Sequence, residues 1–142
     1  MAIRQVSVYA ENKMGTLDEM IQVVSDAGIN IRACMVADTA DFGILRMIVS
    51  DTDTALKVLS EKSMVNITKV VALKIGDEAG SFAKVLNMLK AESINIEYVY
   101  AFAGAAKLGA YVVLRVDDVE KTEKILKDNG IDTLEDADVA EI

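Results

Sequence analysis

Hydrophobic and polar positions alternate over residues 3–10 (IRQVSVYA), a period of two that predicts a half-buried strand. The period then changes. Leu17, Met20, Ile21 and Val24 stand three and four residues apart and form one stripe of an amphipathic helix. Thr16-Leu17-Asp18-Glu19 reads as a capping box, with the Thr16 hydroxyl accepting from the Glu19 N–H and Glu19 reaching back. Gly28 ends that helix as the residue just past its last turn. Residues 30–37 predict a second strand, 38–41 a turn, 43–50 a third strand and about 52–62 a second helix. Residues 64–75 contain no Gly or Pro. They are either one continuous strand or two strands joined by an unmarked tight turn near Lys69.

The same pattern then returns. At an offset of 65, Val6 falls on Val71, Gly15 on Gly80, and Ile29-Asn30-Ile31 on Ile94-Asn95-Ile96. Leu17, Ile21 and Val24 fall on Phe82, Leu86 and Leu89. So long a period excludes a solenoid repeat and fits a duplicated small domain. The second copy predicts a strand to 75, a loop 76–80, a helix 81–92, strands 94–102 and 109–116 around a turn 103–108, a helix 118–129 and a strand over about 131–140. Each copy is β-α-β-β-α-β, the ferredoxin-like order, with two helices covering one face of an antiparallel sheet. The expected fold is α+β: two such units, residues 1–67 and 68–142, packed side by side. The uncovered sheet faces need a partner, and a unit of about 65 residues is marginal alone, so the copies are expected to pack together.

Composition narrows the function. The 142 residues carry 15 Lys+Arg against 23 Asp+Glu, a net charge of -8. A nucleic-acid binder needs a basic face, and none is visible. There is no His and one Cys, which removes the usual zinc sites and imidazole acid–base chemistry. No metal site, cofactor motif or catalytic pair is expected, so the chain reads as a non-enzyme. The lone Cys34, the lack of a signal-like opening and the lack of a long apolar run predict a cytoplasmic protein away from membranes.

The chemistry is concentrated before the first helix of each copy. Asn12-x-x-Gly15-x-Leu17 sits where a strand hands over to a helix whose free N–H groups favour an anion. Gly15 either admits a ligand close to the backbone or only makes a turn. Arg46 interrupts an apolar strand, with Asp38 and Asp41 across the hairpin and Val112 in its place in the second copy. It is either an ordinary surface ion pair or a carboxylate clamp. Tyr98, Tyr100 and Phe102 share one face of a strand, suited to core packing before ligand stacking. Asp117-Asp118 read as a helix start, and Asp132, Glu135, Asp136 and Asp138 as a solvated face.

Two segments carry a family resemblance. Asn12-Lys13-Met14-Gly15-Thr16-Leu17 with Gly28-Ile29-Asn30-Ile31, and Asp77-Glu78-Ala79-Gly80-Ser81-Phe82 with Ser93-Ile94-Asn95-Ile96, resemble the ACT domain. Residues 37–46 and 97–102 are similar to stand-alone tandem ACT proteins. Met14 and Ala79 stand where the family often has Pro, and Ser93 replaces the helix-ending Gly. The resemblance implies a regulatory sensor that binds an amino acid or similar metabolite. It also implies pairing through the second strands, with the ligand between the first-helix loop of one unit and the second strand of the other. The implied contacts are Asn12, Met14, Gly15, Thr16 and Leu17, with Asn30, Ile31 and Arg32. Their second-copy partners are Asp77, Ala79, Gly80, Ser81 and Phe82, with Asn95, Ile96 and Tyr98. A regulated protein partner and a homodimer belong to the same expectation. The competing reading is a protein-interaction module without a small ligand.

Overall fold

Residues 65–75, without Gly or Pro, form a single strand, and the computed structural model is organised around it. The structure describes residues 2–38, 42–103 and 109–142. In chain order the elements are β1 (Ile3–Glu11), α1 (Thr16–Asp26), β2 (Ile31–Asp38), β3 (Phe42–Val49), α2 (Thr52–Ser60) and β4 (Val65–Ile75). They continue with α3 (Ser81–Ala91), β5 (Ile96–Ala101), β6 (Ala110–Val116), α4 (Val119–Asp128) and α5 (Asp136–Glu141). The strand order is β2-β3-β1-β4-β6-β5, and every neighbouring pair is antiparallel. This is an α+β fold: a β-α-β-β-α-β unit is followed by a second β-α-β-β-α unit that starts on the shared β4 and ends in an isolated bridge and α5.

β4 belongs to both units. Residues 65–70 pair with β1 on one edge, and residues 71–75 pair with β6 on the other. The expected division between residues 67 and 68 therefore falls inside a strand. Odd residues of β4 face helices throughout: Val65 and Ile67 pack with the first unit's core, Val71 and Leu73 with the second's. Even residues Val70 and Ala72 face away from the helices.

Three apolar cores result. Val6, Val8, Leu45 and Met47 meet Met20, Val24, Ala55 and Leu59 under α1 and α2. Val71, Leu73, Val112 and Leu114 meet Val85, Leu89 and Leu126 under α3 and α4. The third core joins the sheet faces that the helices leave bare: Ile3, Ala33, Ile48, Val70, Tyr100 and Val113 pack together. Each unit thus supplies the partner for the other's open face. Pairing through the second strands is not how the sheet is extended. β2 and β5 lie at opposite ends of the strand order; their side chains share the third core, and among the described residues their edges are linked in the backbone by an isolated bridge, Ala33 to Phe102, beside which the Ala103 N–H donates to Arg32 O at 2.8 Å. The join runs through β4 instead, because β4 carries both units' hydrogen bonds.

The third core has a polar centre. Gln5 is fully buried. Its Nε2 donates to Tyr98 Oη at 2.8 Å and Ser7 Oγ at 2.9 Å, and Tyr100 Oη donates to its Oε1 at 2.7 Å. Burial, with Tyr98 alongside, raises the Tyr100 phenol far above its ordinary value. The network links β1 of one unit to β5 of the other, and it satisfies polar atoms that would otherwise cost about 1–3 kcal/mol each.

Several local expectations are corrected. The expected strand over 131–140 is only a bridge. Thr133 pairs with Leu73, the Lys74 N–H donates to Asp132 O, and the Leu134 N–H donates to Ala72 O. β1 already occupies this edge of β4 up to Val70, so only residues 72–74 are open. The chain then turns into α5, started by a capping box between Glu135 and Asp138. These acids, read as a solvated face, begin a helix that buries Val139 in the third core. Arg4 holds α5 down: its N–H and Nε donate to Asp136 at 2.9 and 2.7 Å, and Nη1 reaches Asp53 at 2.7 Å. The capping box expected at Thr16 does not form, because Gly15 is the N-cap and Thr16 is already helical. Register places Val113, opposite Ala72, where Arg46 stands opposite Ser7, so Val112 is not the counterpart of Arg46. The pairing of Arg46 with Asp38 and Asp41 lies outside the described residues, as do the turn at 39–41 and residues 104–108 of the second turn. Arg46 lies over the Tyr98 ring, 4.1 Å from its centroid.

The two units leave their first helices in the same way. After α1, the Gly28 N–H donates to Ser25 O and the Ile29 N–H to Val24 O. After α3, the Ser93 N–H donates to Lys90 O and the Ile94 N–H to Leu89 O. Ser93 adopts φ 60° to do so, against 72° for Gly28. A side chain there is strained, since the left-handed region brings Cβ against the carbonyl.

Two outcomes follow. Ser93→Gly relieves that strain and stabilises the chain by about 0.5–1 kcal/mol, read as a rise of roughly 2–4 °C in Tm. An unchanged or lower Tm contradicts the strain. Tyr100, whose proton is held more tightly folded than unfolded, adds stability that is full below pH about 10 and is lost as pH rises past the unfolded phenol value. Urea midpoints between pH 8 and 11 fall less steeply for Tyr100→Phe than for the parent, and equal slopes contradict the assignment.

Candidate ligand-binding site

The β1–α1 loop is built by a short turn and one glycine. The Lys13 N–H donates to Glu11 O at 2.9 Å and the Thr16 N–H to Lys13 O at 3.3 Å. Gly15 then takes φ 85°, and the first helical bond runs from the Glu19 N–H to Gly15 O. The second loop repeats this with Gly80 at φ 86°, the Ser81 N–H on Glu78 O and the Lys84 N–H on Gly80 O. Neither helix has a side-chain cap. A Cβ at Gly15 or Gly80 would meet nothing within 4 Å, so the backbone conformation, not crowding, requires glycine there.

Beside the first loop lies a groove of about 160 Å³. Asn12, Lys13 and Leu17 line it from the loop and helix, Val36 from β2, and Gly43 and Leu45 from β3. It opens on the helix-covered face of the sheet at its β2 edge. Leu17 and Val36 are 45% and 49% exposed, unusual for aliphatic side chains facing each other across a groove. Lys13 is paired with Glu11 at 2.8 Å, which raises the lysine and lowers the carboxyl relative to their ordinary values. Asp18 and Glu19 stand in the first turn of α1, whereas the first turn of α3 carries no acid. The electrostatic settings of the two loops therefore differ.

The sixteen sequence candidates divide. Asn12 and Leu17 line the groove, while Met14 and Gly15 are exposed and do not line it. Thr16 faces another cavity, between α1 and α2. Asn30 and Asn95 are tied at the far end of the sheet, their N–H groups donating to Ser50 Oγ at 2.9 Å and Asp117 Oδ1 at 3.0 Å. Ile31 and Ile96 pack against the two helix-side cores. Arg32 donates to the Val139 and Ala140 carbonyls at 3.3 and 3.4 Å, steadying the last turn of α5. Asp77, Ala79 and Gly80 are exposed, Ser81 is half-buried, and Phe82 packs on the second unit's core. Tyr98 belongs to the interior network around Gln5. The structure thus joins the first loop to the β2 edge of its own unit, and it brings neither loop together with the opposite unit's second strand in one described cavity. Val36 and Gly43 were missed from the sequence. The available signal was an apolar residue on an edge strand, which looks like any other strand residue until the edge is known.

The comparisons with known proteins bear on the family and the fold. The family model of an ACT domain pair matches residues 1–142. No curated protein matches the chain. A solved protein from Bacteroides thetaiotaomicron is 41% identical over 100% of this chain and 98% of its own, with a TM-score of 0.91. The ligand-free regulatory subunit of aspartate kinase from Thermus thermophilus has a TM-score of 0.63 at 13% identity, covering 87% of each chain. A structure of aspartokinase alpha and beta subunits has a TM-score of 0.57 at 19% identity, covering 87% of this chain and 88% of its own. These last two show a shared fold. With two α+β units joined on a shared strand and a family match along its whole length, the chain belongs to the ACT domain pair family.

Proposed function

We propose that this protein is a non-catalytic sensor that binds an amino acid or similar small metabolite at the first-loop groove and transmits occupancy to a regulated partner. The observation that carries the reading is the groove itself, where Asn12 and Leu17 face Val36 across about 160 Å³. The ACT domain pair is a regulatory unit, and the aspartate kinase relative is itself a regulatory subunit. A sequence without His and with one Cys supports a role in binding.

A ligand here would bridge the end of β1, the start of α1 and the β2 edge. Its polar end would meet the uncapped N–H groups of α1 together with Asn12, and its apolar part the exposed faces of Leu17 and Val36. Bridging would stiffen a loop that two backbone hydrogen bonds now define, and that gain in order is a signal a partner can read.

A second reading has its own observation. Tyr9, Met14, Leu17, Val36, Phe42 and Met64 are all large and exposed. All stand on the first unit, where such a surface suits a protein partner with no small ligand.

Calorimetry of the full chain against a panel of amino acids decides between them. Saturable heat that falls by about tenfold in affinity in Val36→Lys, with stability kept within about 0.5 kcal/mol, supports the sensor. Absence of heat from every member, or binding untouched by Val36→Lys, contradicts the groove.

A further inference from the structure

A second cavity, of about 340 Å³, lies on the other side of α1, between that helix and the end of α2. Its volume is in the range of small-molecule sites. Thr16, Glu19, Met20 and Val23 enter it from α1 at spacings of three and four, one face of the helix. Leu59, Lys62 and Ser63 enter it from the end of α2, where the Lys62 and Ser63 N–H groups both donate to Leu59 O. Buried Met20 and Leu59 form an apolar floor with Val23.

The rim of this cavity carries charges of both signs over an apolar floor. Glu11, Glu19, Lys13 and Lys62 all line it. Lys13 and Glu11 are joined in their own ion pair at 2.8 Å, and Lys13 also feels the charge of Glu19. Glu19 and Lys62 make no side-chain ion pair or hydrogen bond with any described residue. One carboxylate on α1 and one ammonium beside α2 are thus left across an apolar floor. From these three features we infer a site for a small zwitterion with an aliphatic side chain: an ammonium group on Glu19, a carboxylate on Lys62 with Ser63, and the side chain on Met20, Val23 and Leu59. Opposite charges in this fixed order select a free amino acid over a fatty acid or an amine, because each lacks one of the two contacts.

The second unit serves as an internal control. Lys84 stands where Glu19 does, and Asn129 stands where Lys62 does. Asn129 spends its amide on the Ile125 carbonyl at 2.8 Å. The second unit therefore does not repeat this charge pattern at the equivalent place between α3 and the end of α4. A ligand in it would fasten α1 to α2 directly behind the Gly15 turn, a place from which it could set the position of the first loop. The inference stands on this cavity alone and not on the groove at Val36.

The test is a nitrogen-15 NMR titration of the full chain with L-leucine, and with leucinamide and isocaproate, which each keep only one of the two charges. The expected result is saturable shifts with leucine at the amides of Thr16, Val23, Leu59 and Ser63. Each of Glu19→Gln and Lys62→Gln weakens the effect by about tenfold, and the two single-charge compounds bind at least about tenfold more weakly than leucine. Both substitutions are at exposed positions, so the fold is retained. No saturable shift at these amides by about 10 mM leucine overturns the proposal, as does indifference to both substitutions or equal binding of isocaproate. Shifts confined to Asn12, Val36 and Gly43 also overturn it, while supporting the groove reading.

Discussion

Along β4 the backbone offers its hydrogen-bonding groups alternately to two edges, and the rest of the structure depends on how those edges are shared. On one edge β1 takes residues 65–70, and the segment 132–134 takes 72–74. On the other edge β6 takes 71–75. Below Val71 that second edge pairs with no strand among the described residues, and Arg115 Nη1 donates to Lys69 O there at 3.0 Å. A strand that closes one sheet and opens the next cannot be cut without leaving both sheets with unpaired groups. The side chains follow the same alternation, so a single strand also divides the helix-side cores from the core between the units.

That inner core differs in kind from the other two. It has Gln5 at its centre, hydrogen-bonded to Ser7 and to tyrosines of the opposite unit. Aliphatic cores tolerate sliding and repacking. A buried amide with defined partners fixes which residue of β1 meets which residue of β5. Arg4 adds a second constraint at the edge, where one guanidinium joins β1, α2 and α5. The carboxylates involved are partly exposed, so the value of this link is mainly positional.

Much of the architecture was legible in the sequence because it rests on local periodicity. The offset of 65, the amphipathic stripe from Leu17 to Val24 and the unbroken 64–75 segment are patterns of near neighbours, and the helix start at Asp118 is a local cap. The failures share a cause. The strand expected at 131–140 is displaced because β1 already occupies the edge it needs, a fact of tertiary pairing. Ser93 keeps the glycine-type exit of its helix because the chain on both sides demands it. The partners of Arg32 and Tyr98, which the resemblance implies as ligand contacts, were not legible either: Arg32 donates to α5 and Tyr98 accepts from Gln5. The site itself was only partly legible. The loop carries its own signature in Asn12, Gly15 and Leu17, whereas Val36, Gly43 and Lys62 acquire meaning from what the fold brings beside them.

Duplication explains the asymmetry of the chemistry. Two copies supply each other's missing sheet partner, so both must keep their apolar faces. The charged positions around the first helix are among those at which the copies differ: Glu11 and Glu19 of the first stand against Gly76 and Lys84 of the second. The central claim is that β4 and the inner core make the two units one cooperative body. Native-state hydrogen exchange on β4 tests it most directly. The account predicts that the amides of Asn66, Thr68 and Val70, paired with β1, and those of Val71 and Leu73, paired with β6, open with the same free energy and respond equally to denaturant. Exchange of one set through a smaller opening, while the other stays closed, would show two units that unfold separately and would contradict it.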